Sequence, residues 1–231
     1  MDNYLYLLLN LGSVSIPLLY SIFEKDFYFI QYFKIVLLSI FLVAIPFLIW
    51  DFIFTVNGIW GFNQEYHLPF KILKMPLEEW LFFFCIPYAC LFTHEVIKNY
   101  WSNFKLSKQG VYFLSFLLII FSFVVFFLNL DKWYTCLNFL FYLTLMLYSI
   151  VYKRSVLQEY LPTFIVILIP FFLVNGILTG SFIEGVVVWY NDAENMGVRI
   201  ATIPLEDVFY AFNLLFSIQL VFNYLKDREN I

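Results

Sequence analysis

Long apolar segments alternate with shorter polar joints along the whole chain. Each segment has about 20 residues, the length that an α-helix needs to cross the hydrocarbon core of a bilayer. The pattern therefore predicts an all-α integral membrane protein with seven transmembrane helices. Their expected positions are residues 4–23, 33–55, 77–97, 111–130, 134–152, 161–182 and 204–225.

The composition strengthens this prediction. Of the 231 residues, 63% are hydrophobic, 23% are aromatic and 13% are charged. A soluble protein of this size could not bury so much apolar surface, and seven spans leave no room for a soluble catalytic domain. The net charge of −4 without a basic block argues against a nucleic-acid partner. Three cysteines without a C-x-x-C pair indicate neither a disulfide framework nor a zinc site.

The distribution of Lys and Arg predicts the orientation in the cell membrane, because cytoplasmic loops carry the excess of positive charge. The first residues lack the positive leader of a signal peptide, so the first segment is expected to remain in the mature protein. The N-terminus and both long joints, residues 56–76 and 183–203, are then outside, and the C-terminus is cytoplasmic. Nine basic residues lie on one side (Lys25, Lys34, Lys98, Lys105, Lys108, Lys153, Arg154, Lys226 and Arg228) and four on the other (Lys71, Lys74, Lys132 and Arg199).

The chain contains an internal repeat. Asp51 recurs 124 positions later as Asn175, and the motif at 76–79 (PLEE) recurs 128 positions later at 204–207 (PLED). Residues 1–98 and 133–231 are therefore predicted to form two repeats of three transmembrane helices, with a connector helix within 99–132. Corresponding segments differ by four crossings, so the repeats are parallel.

Carboxyl groups gather at one end of the predicted bundle. Ionisable groups in or beside membrane spans are candidates for function. A carboxyl group in an apolar site favours its neutral form and can act as an acid near neutral pH. The alternative is structural, because a proline followed by acids is a good helix start. The group comprises Asp51, Glu78, Glu79, Glu206 and Asp207, with Asn175 at the same depth.

Helical spacing separates the acids of the last segment. Glu206 shares a face with Tyr210 and Asn213, so its side chain is expected to point into the bundle, whereas Asp207 should point elsewhere. Its equivalent, Glu79, is then expected to be a helix-start acid. Arg199 is expected to pair with an acid of the long joint, such as Glu194, or with one of the motif acids.

Aromatic residues cluster near the same boundary. One interpretation is an aromatic belt at the headgroup level; the other is a set of rings that stabilises a cation. The candidates are Trp50, Trp60, Phe82, Trp189, Tyr190 and Tyr210. No G-x-G-x-x-G motif, no Asp pair for Mg–diphosphate chemistry and no lysine in the middle of the last segment is present, so no cofactor and no metal are expected.

These motifs resemble those of the lycopene cyclase family that occurs as heterodimers in some actinobacteria, as fused chains in archaea, and joined to phytoene synthase in fungi. The resemblance covers both halves, but Asn175 stands where the first half has Asp51. It is carried by the segments 46–55 (PFLIWDFIFT), 60–63 (WGFN), 76–80 (PLEEW), 175–180 (NGILTG), 189–191 (WYN) and 204–207 (PLED).

The resemblance implies an intramolecular lyase (isomerase) that converts the linear ψ ends of lycopene, or of a related linear carotenoid, to β-rings, giving γ- or β-carotene. Protonation, cyclisation of the carbocation and deprotonation leave no net redox change. Glu78 and Glu206 are then expected to be the acid and base, with Asp51, Glu79 and Asp207 tuning charge. Asn175 and the aromatic candidates are expected to contact the substrate or its cation.

Other functions remain open on the sequence. Parallel repeats with acids near one face also suit a small membrane transporter, although such a protein should carry a polar stripe through the bilayer centre. A third alternative is a non-catalytic subunit of a pigment-synthesis complex. Other enzymes of carotenoid synthesis are possible partners.

Overall fold

The computed structural model describes residues 2–24 and 26–229. Lys25, which contributes to the predicted orientation, and the outermost residues of the two predicted repeats lie outside this part. Seven described helices are long and apolar enough to cross a membrane, which confirms the predicted all-α, seven-span architecture. They are α1 (Leu5–Phe23), α2 (Phe33–Val56), α3 (Leu77–Tyr100), α4 (Lys108–Leu128), α5 (Trp133–Tyr152), α6 (Arg154–Leu178) and α7 (Leu205–Glu229). Short 3₁₀ turns at Asp2–Tyr4 and Phe29–Tyr32 precede α1 and α2.

The largest difference from the predicted spans is in α6. The sequence pattern places this helix at 161–182, but it begins at Arg154 and ends at Leu178. The polar residues before 161 include no helix breaker, so they extend the helix beyond the apolar segment. Gly180, with a φ of +106°, follows the end of the helix, in a conformation that residues with a side chain rarely adopt.

The helices pack in corresponding pairs. The first helix of each half packs on the third, as α1 on α3 and α5 on α7. The second helix of each half also packs on the third helix of the other half, as α2 on α7 and α6 on α3, and α4 packs on α5. The two halves therefore interlock, and their second and third helices enclose a common space.

The two long joints form three small antiparallel sheets that the sequence pattern does not predict. In the first joint β2 (Lys71–Ile72) pairs with β3 (Met75–Pro76), and in the second β5 (Arg199–Ile200) pairs with β6 (Ile203–Pro204). Each of these hairpins runs directly into the third helix of its half. Strands of two residues are too short to show the alternation by which strands are recognised.

The third sheet connects the halves. The strand β1 (Trp60–Phe62) pairs with β4 (Val188–Tyr190), so that Gly61 lies opposite Trp189. A Cβ atom at Gly61 would collide with the indole ring of Trp189. The absence of a side chain at this position therefore allows the two joints to pair across the end of the bundle.

Candidate functional site

A cavity of about 240 Å³ lies where the two halves meet beneath the paired joints. Three carboxyl groups reach its wall, together with one amide and several aromatic rings. These polar and aromatic residues are Tyr6, Asp51, Trp60, Glu79, Phe82, Tyr134, Asn175, Tyr190, Asp207 and Tyr210. The remainder of the wall is almost entirely apolar.

The first half contributes two carboxyl groups that face each other. Asp51 comes from the end of α2 and Glu79 from the first turn of α3, and the two carboxyl groups are neighbours in the cavity wall. Asp51 Oδ1 accepts from the Trp60 indole at 2.5 Å, and Glu79 Oε2 accepts from the Tyr6 hydroxyl. Asp51 Oδ2 has no donor among the described residues. Two carboxyl groups can hydrogen-bond to each other only if one of them carries a proton, since a carboxylate has no donor.

The second half presents a single carboxyl group surrounded by donors. Asp207 Oδ1 accepts from the Tyr134 hydroxyl at 2.5 Å. Its Oδ2 accepts from the Asn175 amide at 2.9 Å and from the Tyr190 hydroxyl at 2.8 Å. Three donors satisfy an ionised carboxylate without an additional proton.

Glu78 and Glu206 are fully buried but do not line the cavity. Glu78 Oε1 accepts from the Leu68 amide at 2.7 Å, and Glu206 Oε1 accepts from the Met196 amide at 2.7 Å and from the Thr135 hydroxyl at 2.6 Å. These two carboxyl groups therefore attach the long joints to the starts of α3 and α7.

The helical faces of the last segment predict that Glu206 points into the bundle and that Asp207 points elsewhere. The structure differs from this prediction at the cavity. The cavity side of α7 carries Asp207, Tyr210, Ala211 and Leu214, and not Glu206. The physical reason is that the second joint folds back over the first turn of α7 and, with α5, covers Glu206. Burial is therefore common to both acids of each motif, and only one of the two reaches the cavity.

Only some of the aromatic candidates line the cavity. Trp60, Tyr190 and Tyr210 line the cavity, and their rings lie about 6 Å apart between centroids, 6.2 Å for Trp60 and Tyr190 and 6.1 Å for Trp60 and Tyr210. Phe82 lines the cavity beside Tyr6. Trp50 packs behind Tyr210 instead, and Trp189 is 42% exposed on the outer side of its strand. Neither of these two tryptophans belongs to the cavity wall.

Two tyrosines of the cavity, Tyr6 and Tyr134, are missing from the sequence-based candidates. They donate to Glu79 and Asp207, respectively. Each is followed four residues later by an asparagine that donates to the backbone carbonyl of Glu78 or Glu206. The pairs at 6 and 10 and at 134 and 138 are separated by the same 128 positions as the acidic motifs, so extending the repeat to α1 and α5 would have found them.

Arg199 pairs with an acid of its own joint, as the sequence predicts, and the partner is Asp192 and not Glu194. It binds Asp192 at 2.6 Å and lies 5.9 Å from the ring centroid of Tyr190. The hydrogen bond from Arg199 holds the pKa of Asp192 below its usual range. Glu194 accepts from the backbone amide of Trp133 instead. Within the described part of the chain, no cluster of three or more His, Cys, Asp or Glu side chains is placed to hold a metal ion.

One family model, described as lycopene cyclase, matches the chain twice, at residues 3–97 and again at residues 131–225. The two matches are displaced by the same 128 positions as the acidic motifs, and they confirm that the halves are similar. No curated protein and no solved structure matches the chain. Because the family model covers far more than half of the sequence and both copies contribute to the cavity, the chain belongs to the lycopene cyclase family.

Proposed function

We propose that this protein cyclises the linear ψ ends of lycopene, or of a related linear carotenoid, to β-rings. Family membership supports carotenoid cyclase activity in general. The observation that carries the finer proposal is the cavity itself, in which one carboxyl pair and one separate carboxyl group lie among aromatic rings inside a membrane protein. Such a reaction requires an acid, a base and a way to stabilise a cation without reacting with it.

The Asp51–Glu79 pair is the proposed acid. The shared proton passes to the terminal double bond of the ψ end, and the resulting tertiary cation is attacked by the C5–C6 double bond, which closes the ring. The donors on this pair, Trp60 and Tyr6, hold the two carboxyl groups in place and stabilise the charge that remains after the proton has left.

Asp207 is the proposed base. Ring closure bonds C6 to the cationic carbon and leaves the positive charge at C5. The Asp207 carboxylate then accepts the C6 proton, and the electrons of that C–H bond form the C5–C6 double bond of the β-ring. Hydrogen bonds from Tyr134, Asn175 and Tyr190 hold the carboxylate in place and reduce its tendency to add to the cation. Return of the proton from Asp207 to the Asp51–Glu79 pair restores the resting state, so the reaction is a net isomerisation.

The cation between these steps is proposed to lie against the faces of Trp60, Tyr190 and Tyr210. Aromatic faces attract positive charge and offer no strong nucleophile. Phe82 extends this aromatic wall on the side of the first half. Glu78 and Glu206 have an indirect part in the proposal, because they position the joints that carry Trp60 and Tyr190.

The predicted repeats and the predicted orientation in the membrane are part of the same proposal. Repeats at residues 1–98 and 133–231, with a connector at 99–132, supply complementary halves of one active site. The excess of basic residues supports a chain with its N-terminus outside the cell membrane and its C-terminus in the cytoplasm. Other enzymes of carotenoid synthesis are then candidates as neighbours in the same bilayer.

Expression in a lycopene-accumulating bacterial host tests the function. Chromatography of the extracted pigments is expected to show carotenes with β-rings at the expense of lycopene, while a host with the empty vector keeps its lycopene. A protein that reaches the membrane in normal amount and leaves lycopene unchanged would contradict the proposal and favour a transporter or a non-catalytic subunit.

A further inference from the structure

The cavity continues beyond the carboxyl groups as a groove along α3. Its lining on this helix runs from Glu79 through Ile86 and Ala89 to Thr93. At a rise of 1.5 Å per residue, the 14 steps from Glu79 to Thr93 correspond to about 21 Å. The groove is therefore about two thirds as long as the hydrocarbon core of a bilayer is thick, which is about 30 Å.

Among the described residues, the groove offers no free hydroxyl or amide donor away from the carboxyl end, and its one thiol, Cys90, is only a weak donor. The Ser13 hydroxyl donates to the Leu9 carbonyl at 2.7 Å, and the Thr93 hydroxyl donates to the Ala89 carbonyl at 2.8 Å. Both hydroxyl groups are thus used within their own helices. The other lining residues from α1 and α6 along this stretch are apolar, among them Pro17, Ile167, Pro170 and Phe171.

The groove has α1 on one side and α6 on the other. Both helices pack against α3, but within the described part of the chain they make no extensive contact with each other. Pro17, Ile86 and Phe171, which line the groove, are partly exposed. The space between α1 and α6 is therefore open on the side that a bilayer would cover, so an apolar molecule dissolved in the membrane can reach the cavity without passing through water.

We propose that this groove binds the unreacted polyene chain of the substrate, which enters sideways between α1 and α6 and places one ψ end at the carboxyl groups. The inference rests on the proposed function and adds where the remainder of the substrate lies. A linear hydrocarbon fits an apolar groove that has its polar groups at only one end. Because both halves build a single set of carboxyl groups, only one end reacts per binding event.

Two serines on α1 provide a matched test. Ser13 lines the groove, whereas Ser15, two positions along the helix and on its opposite side, is exposed to the bilayer and bonds only to the Gly12 carbonyl. Ser13→Trp fills the groove, and Ser15→Trp places the same side chain in lipid. In the lycopene-accumulating host, Ser13→Trp is expected to lower ring formation about tenfold or more, the effect of roughly 1.4 kcal/mol of overpacking against the substrate. Ser15→Trp should remain near the wild-type rate.

A second groove variant controls for the case in which Ser13→Trp misfolds. Ala89→Phe narrows the groove from α3, and its amount in the membrane, measured with an epitope tag, should match the wild type while ring formation falls. If Ser13→Trp and Ala89→Phe both cyclise as fast as Ser15→Trp, the groove holds something else, such as a lipid acyl chain, and the inference is overturned. A wild-type chain that forms no rings would instead overturn the proposed function, and the proposed occupant with it.

Discussion

The two halves of the molecule share their helices and hairpins but differ at the cavity. In the first half Asp51 faces Glu79, so two carboxyl groups lie together. In the second half Asn175 takes the corresponding position and donates to Asp207 at 2.9 Å. In the proposed mechanism the same scaffold presents a carboxyl pair that holds a proton on one side and a carboxylate that accepts three hydrogen bonds on the other. On this proposal, a single Asp-to-Asn difference between the repeats distinguishes the acid from the base within one fold.

The most severe test of this comparison makes the second half like the first. Asn175→Asp places a carboxyl group against Asp207. The two groups would share a proton, so Asp207, the proposed base, could no longer accept the proton from the substrate. Ring formation is expected to fall by about 10²-fold, the lower end of what general acid–base catalysis contributes. Pigment chromatography at equal membrane levels of the two proteins measures this loss. A variant that cyclises as fast as the wild type would show that the asymmetry of the halves has no catalytic role.

The pairing of the joints that connects the halves can also be broken. Gly61→Ala adds a methyl group where the Trp189 indole already lies, so β1 and β4 should separate or shift. We expect a loss of about 1–3 kcal/mol in the free energy of unfolding, as for other overpacked contacts. Thermal unfolding of the detergent-solubilised protein measures the change. Gly12→Ala is a suitable control, because a Cβ atom at Gly12 meets no other group, and equal stability of the two variants would count against the connecting role.

The smallest effect is expected at the ion pair in the second joint. The Asp192 side chain is 61% exposed and that of Arg199 is 30% exposed, and such surface pairs contribute at most about 1 kcal/mol. Because the folded-state pKa of Asp192 is lowered, its contribution is present above the ordinary Asp pKa of about 3.9 and is lost as the pH falls through the folded value. Asp192→Asn should therefore lower the unfolding temperature slightly at pH 7, and the difference from wild type should vanish at acidic pH. A difference that is unchanged at acidic pH would contradict this account.

Much of the architecture follows from the sequence because the bilayer imposes it. Seven spans of about 20 apolar residues leave few alternatives, and the repeat of the acidic motifs brings Asp51, Glu79 and Asp207 to one end. The choice between adjacent acids does not follow in the same way. It depends on how the joints fold back over the helix starts, through contacts such as Leu68 to Glu78 that join residues ten positions apart.

Tyr6 and Tyr134 show a second limit of prediction from the sequence. Tyr6 and Tyr134 lie in apolar segments, where an aromatic residue is unremarkable in a chain with 23% aromatic residues. Their importance depends on α1 packing against α3 and α5 against α7, which brings each hydroxyl group to a carboxyl group. Hydropathy gives no information on such pairings, whereas the repeat does once it is extended beyond the acidic motifs.

The central claim is that the second acid of the first motif, and not the first, acts on the substrate. The pigments formed by Glu79→Gln and Glu78→Gln, compared in the same lycopene-accumulating host at equal membrane levels, test it most directly. Glu79→Gln removes the proton-sharing partner of Asp51 and should lower ring formation by about 10²-fold or more. Glu78→Gln keeps an oxygen that can accept from the Leu68 amide and should retain most of the activity. Loss of cyclisation in Glu78→Gln with full activity in Glu79→Gln would contradict the account.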